Sequence, residues 1–237
     1  MASPSAKTPR RAFTLVELLV VIGIIAVLVS LLIPVVQAAR RMAQAAGCAA
    51  NLRVIGVAVN GFCADNNGVF PTTVGAGTRA DNWVFWQSGR NFNQSAIAPY
   101  LASTNGNLKS VFICPAQPIE DQVGFAGGGH YPLTYSMNVS VSSYYPLQLR
   151  RVQNPQQKVL VYDENQNADD DQFWYGTDRD TLAGRHGAAD YQAANINGTG
   201  DLHYERAMGN VLLLDGHVNL VDNNYCHQAV YNDLLQP

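Results

Sequence analysis

The chain has 237 residues, a formal net charge of −3 and only 14% charged side chains. That balance excludes the basic patch or stripe with which nucleic-acid binders neutralise phosphates. Roughly 200 residues lie beyond the N-terminal apolar run, enough for one domain with a core of its own, and the many Gly and Asn residues suit a loop-rich extracytoplasmic domain.

Residues 1–12 read as a short Pro/Ser/Lys/Arg leader outside the fold. From Leu18 to Val36 no charged side chain occurs; only Ser30 is overtly polar, and Gly23 and Pro34 are the helix-weakening residues. Nineteen residues at a rise of about 1.5 Å reach roughly 28 Å, close to the hydrocarbon thickness of a bilayer. Backbone groups in lipid must be satisfied within their own segment, so a transmembrane helix is predicted at about 15–36. Lys7, Arg10 and Arg11 precede it and no acid does, which predicts a cytoplasmic N-terminus and an exported remainder. Glu17 stands at the mouth of this run, where a carboxylate is costly and needs a partner or a task.

The stretch Arg10-Arg11-Ala12-Phe13-Thr14-Leu15-Val16-Glu17 resembles the N-terminal signature of type IV prepilins and type II secretion pseudopilins. The resemblance implies cleavage between Ala12 and Phe13 by a prepilin peptidase, methylation of the new N-terminal Phe13, and a role in assembly for Glu17, which would neutralise the amine of a neighbouring subunit. Ala12 stands where the family usually has Gly, and Pro34 falls where many pilins carry a kinking proline. Two other readings compete. One is a cleaved secretory signal ending at Val36-Gln37-Ala38; the other is a plain anchor. The run is longer than a usual signal core, carries Glu17 at its mouth, and continues its helical pattern past Ala38.

Cys48, Leu52, Ile55, Val59 and Phe62 fall within an arc of roughly 100° on a helical wheel. A single helix is therefore predicted over 13–63, half in the membrane and half lying on a soluble domain, stopped by Asp65-Asn66-Asn67-Gly68. The segment from Cys48 to Gly56 and the following Gly68-Val69-Phe70-Pro71 resemble a bacterial subgroup of pilin-like proteins that ends in an H-x9-D-G domain, best known from planctomycete-like bacteria. Phe112-Ile113-Cys114-Pro115 and Thr134-Tyr135-Ser136-Met137-Asn138 look like landmarks of the same subgroup.

The four cysteines are Cys48, Cys63, Cys114 and Cys226. An even number in an exported chain permits disulfides. On one continuous helix Cys48 and Cys63 would lie about 22 Å apart, too far to be bridged. Cys48–Cys114 with Cys63–Cys226, Cys48–Cys226 with Cys63–Cys114, and four free buried thiols all stay open. Neither Cys-x-x-Cys nor finger-like Cys/His spacing occurs, so no structural zinc site is expected.

Trp83-Val84-Phe85-Trp86 is the densest aromatic cluster, read as core filling or as a surface-stacking platform. Lys158 to Tyr162 reads as a buried strand running into an acidic stretch. Asp169, Asp170 and Asp171 there have the oxygen ligands calcium prefers, but not the spacing of an EF-hand. Late in the chain, residues 210–222 read as a hairpin about Asp215-Gly216, a two-residue type I′ turn. The expected register pairs Leu213 with Val218 and Val211 with Leu220, which puts Val211, Leu213, Val218 and Leu220 on the core face. This hairpin matches the Asp-Gly end of the H-x9-D-G pattern. The pattern would put its His at Glu205; His186 is the better counterpart, with an insertion at 188–206. His186, Asp215 and His217 have the residue types of a metal or acid–base site, but no enzyme signature outweighs their structural roles.

The predicted protein is α+β: a long N-terminal helix, transmembrane in its first half, packed on a small antiparallel sheet within an extracytoplasmic part at 64–237. It is expected to be a structural subunit of a type IV pilus-like or type II secretion pseudopilus filament, not an enzyme. It would be held in the inner membrane, with copies of itself, other pilins, the prepilin peptidase and an inner-membrane assembly platform as partners. No cofactor is expected beyond the calcium option. The rival is a membrane-anchored surface-binding domain that never polymerises and uses the Trp83–Trp86 region for contact.

Overall fold

A computed structural model describes residues 14–73, 79–85, 91–101, 108–116, 133–142, 147–164, 172–173, 182, 186, 208–222 and 225, without the side chains of residues 109, 142, 172 and 173. Two compact units divide at residues 40 and 41. Helix α1 (Leu15–Asp65) runs through both and is continuous through Pro34. Its large apolar side chains from Leu15 to Val36 are exposed, and this helix is long and apolar enough to cross a membrane.

Both ends of α1 are closed by local chemistry. At its start the Thr14 hydroxyl accepts the Glu17 amide proton (3.2 Å), while Glu17 Oε2 accepts from the Thr14 amide (2.9 Å) and hydroxyl (2.8 Å). This is a reciprocal capping box, which satisfies amides that helical geometry leaves orphaned. At its end the Gly68 amide donates to Cys63 O (2.7 Å) around Asn67 and Gly68, both at positive φ (57° and 76°). Asn and Gly tolerate that left-handed backbone, so the helix stops here.

The second unit contains one five-stranded sheet. Its strands are β1 (Tyr135–Asn138), β2 (Val159–Asp163), β3 (Gln172–Phe173), β4 (Met208–Leu213) and β5 (Val218–Asp222), in the order β3-β1-β2-β4-β5. All neighbours are antiparallel except β3, which joins β1 parallel at one edge. The expected α+β architecture is thus the observed one. Cys48, Leu52, Ile55, Ala58, Val59 and Cys63 on α1 form the main core with Tyr135, Met137, Val161 and Leu212 of the sheet and with Trp83 and Phe112. Gly56 allows a close approach to β4, since a Cβ there would lie 2.9 Å from Leu212 Cδ1.

The hairpin differs from the expectation. Leu212 pairs with Val218, Val211 with Asn219 and Asn210 with Leu220, one residue out of the expected register. The Gly216 amide donates to Leu213 O (2.9 Å), the Leu213 amide donates to His217 O (2.8 Å), and Gly216 alone in this turn has positive φ, 92°. Three residues, Leu214, Asp215 and Gly216, therefore form the loop, with glycine at its left-handed position instead of a two-residue type I′ turn. Because side chains alternate with period two, this slip exchanges the faces. Leu212 points at α1, while Val211, Leu213 and Val221 join Val159, Tyr162 and Leu182 in a second cluster on the opposite face. Leu220, expected in the core, is 49% exposed.

Three of the four residues of the aromatic cluster are core: Trp83, Val84 and Phe85 are buried, and Trp83 packs edge-on against Phe112 at 5.6 Å between centroids. Those three present no stacking platform; Trp86 lies outside the described residues.

Candidate functional site

Two places gather the chemistry singled out in the sequence. The first is the mouth of α1. Glu17 is positioned by the first helical turn, and its Oε2 takes both bonds from Thr14. Its Oε1 has no hydrogen bond among the described residues. Ala12 and Phe13 lie outside the described residues. Cleavage between them would leave intact both Thr14 groups that hold Glu17. The sequence reading missed this role of Thr14, although a Thr-x-x-Glu preceding an apolar run is its usual signal.

The second place lies between α1 and the sheet, where Cys48, Cys114, Asp163 and His186 converge. Cys48 comes from the buried face of α1. Cys114 follows the 3₁₀ turn Leu108–Phe112 and is fixed from two sides. Thr134 Oγ1 accepts its amide proton (2.6 Å), and the neighbouring chain is tied to α1: Asn51 Nδ2 donates to Ile113 O (3.0 Å) and Gln44 Nε2 to Pro115 O (3.2 Å). Asp163 ends β2 opposite Tyr135 of β1. His186 is delivered by the chain that returns from an antiparallel bridge between Glu164 and Leu182.

The contact atoms of the four residues lie within 4.8 Å of one another. His186 Nε2 is 3.2 Å from Asp163 Oδ2 and 3.4 Å from Cys114 Sγ, and Cys48 Sγ is 3.8 Å from the same Asp163 oxygen. Cys48, Cys114 and Asp163 are fully buried, as is the His186 side chain. Burial alone would lower the pKa of His186, but its bonds to Asp163 and Cys114 outweigh this and push it up to about 9. The hydrogen bond with Cys48, then burial, then the charge of Asp163 push the Cys114 thiol far up. Beside them the fully buried Tyr135 hydroxyl makes no hydrogen bond among the described residues, and its ionisation is pushed well up by burial and then by Cys48, Asp163 and Cys114. The arrangement can hold a hydrogen-bonded ion pair, a Cys48–Cys114 disulfide or a cation.

The remaining sequence candidates separate. Cys63 is a free buried thiol, pushed up to about 12 by desolvation, and Cys226 lies outside the described residues. Cys48 and Cys114 are likewise unbridged in this structure. Asp169, Asp170 and Asp171, proposed for calcium, and the 188–206 insertion also lie outside the described residues. Asp215 and His217 bond each other at the exposed turn (2.8 Å), whereas His186 bonds Asp163 and Cys114, so no His186–Asp215–His217 site forms. Asp163 was missed in the sequence, where it looked like the head of a solvated acidic stretch. The available signal was a carboxylate placed directly on a wholly apolar strand.

The prokaryotic N-terminal methylation motif matches residues 7–33. No curated protein and no solved structure matches the chain. The motif supports a pilin-like protein, fits processing by a prepilin peptidase, and points to a structural role rather than an enzymatic one. Together with the exposed apolar helix it fits a membrane-anchored pilin.

Proposed function

We propose that the chain is a structural subunit of a type IV pilus-like or type II secretion pseudopilus filament. A prepilin peptidase would cut between Ala12 and Phe13, and Phe13 would then be methylated. Before assembly the subunit would sit in the inner membrane, its N-terminus cytoplasmic because Lys7, Arg10 and Arg11 precede the helix. The assembly platform would draw it into a polymer with copies of itself and other pilins. The H-x9-D-G subgroup is the proposed relation for the C-terminal part, resting on the Asp215-Gly216 hairpin and His186.

The observation that carries this reading is the methylation motif running into an exposed helical stretch, charge-free from Leu18 to Val36, with one acid at its mouth. An apolar rod that long is stable only in lipid or against other apolar rods. Glu17 keeps Oε1 available when Oε2 is engaged by Thr14, so it can meet the Phe13 amine of a neighbour, which lowers the cost of burying either charge.

Intact-mass and N-terminal analysis of the membrane-purified protein tests the processing. A methylated Phe13 as first residue is expected; an N-terminus at Ala39, or an uncleaved Met1, would defeat it. Assembly needs a subtler variant than Glu17→Ala, which removes cap and charge together. Glu17→Gln keeps the capping box but not the charge. It is expected to be processed, to remain in the membrane and to give no filaments. Normal filaments from Glu17→Gln would refute the charge pairing.

A further inference from the structure

We propose that Cys48, Cys114, Asp163 and His186 bind one zinc ion that fastens α1 to the sheet. The geometry carries this. With zinc bonds of about 2.0–2.3 Å, tetrahedral N–O edges are about 3.3 Å and edges that include sulfur about 3.5–3.8 Å. The observed separations are 3.2 Å for N–O, 3.4 Å for N–S and 3.8 Å for O–S. The other three separations among the four donor atoms are within 4.8 Å, so donors from separate parts of the chain converge closely enough to share one ion.

The donor set fits the same ion. Two thiolates and an imidazole suit a borderline-soft cation, and a carboxylate completes four-coordination with no position for water or substrate. Complete burial of the donors makes the site structural rather than catalytic. Binding would release both thiol protons and the imidazolium proton: Zn²⁺ with two thiolates, one carboxylate and one neutral imidazole leaves a net charge of −1. The Tyr135 hydroxyl is buried near Cys48 and has no hydrogen-bond partner among the described residues; a zinc-bound thiolate would be an acceptor for it. The site would join α1, residues 108–115, β2 and His186, reinforcing side-chain bonds such as Asn51 to Ile113.

The test uses the full chain, solubilised from membranes in detergent. Elemental analysis should find one zinc per chain, and cobalt exchanged into the site should show the tetrahedral visible bands and thiolate-to-metal charge transfer. Cys48→Ser and His186→Gln should each lower bound zinc at least ~10-fold, and Tyr135→Phe should weaken affinity ~10–100-fold while leaving the cobalt spectrum tetrahedral. His217→Gln should change nothing. Should the ligand variants fail to fold, metal content, cobalt spectrum and thiol counting on the unaltered chain still decide. A Cys48–Cys114 disulfide in the membrane-derived protein overturns the proposal. So does failure to take up zinc when the thiols are reduced, iron in place of zinc in the membrane-derived protein, or a cobalt spectrum without thiolate charge transfer. Filament formation does not enter this readout, so the proposal stands or falls apart from the filament reading.

Discussion

Asn51 shows how one polar side chain on an otherwise apolar helix face sets a distant residue. Its amide donates to Ile113 O at 3.0 Å and reaches Ser110 O at 3.4 Å, holding the chain so that Cys114 faces Cys48. The bond to Ile113 O is part-buried, where a lost donor is poorly replaced by water. Asn51→Ala is therefore expected to cost about 1–3 kcal/mol, the penalty for stranding an acceptor, and to lower the denaturation midpoint of the solubilised protein. An unchanged midpoint would mean that the contact is replaced by water at no cost. Glu17 is the second residue of this kind: the carboxylate that looked like an unpaid charge also closes the first turn of its own helix.

Among the elements, the β4–β5 hairpin is the one whose reading changed most. Apolar alternation alone suggested Val211, Leu213, Val218 and Leu220 as the core face, but β4 is buried on both sides. Its pattern of near-continuous apolar residues is that of a strand flanked by two others and covered on each face, so alternation there carries no register information. The turn decides instead, through the left-handed Gly216. The two registers give opposite mutational outcomes. Leu212→Ala, which empties space against Gly56, is expected to cost ~2–5 kcal/mol, and Leu220→Ser to stay within about 0.5 kcal/mol of the parent in denaturant unfolding. The reverse order would restore the two-residue turn.

At the scale of the whole molecule, the residues divide by what covers them. Every buried apolar residue of the two core clusters lies at Cys48 or beyond, while the large apolar side chains from Leu15 to Val36 are exposed. The second unit, from Arg41 onward, thus has its own core, and the first contributes apolar surface for lipid or neighbouring helices. A chain beginning at Arg41 is expected to fold, giving a cooperative thermal transition, and to remain in the aqueous fraction without detergent. Precipitation or a missing transition would show that the second unit needs the apolar helix. The same division suits the proposed filament subunit, in which one part would make the polymer contacts and the other would present a separate folded surface.

Sequence alone determined the membrane-length helix, its stop at Asn67 and Gly68, and the α+β class; the Thr-x-x-Glu box at its start was equally legible, though it was missed. Each of these depends on residues within a turn or two of one another, and local spacing states such chemistry directly. Tertiary structure alone decided the hairpin register and the gathering of Cys48, Cys114, Asp163 and His186. Cys48 and Asp163 are 115 positions apart, and Cys114 and His186 are 72 apart. No spacing rule spans such separations. Those residues meet because α1 packs its Cys48 face on the end of β2, and the burial that brings them together is also what makes their four donors a potential ligand set.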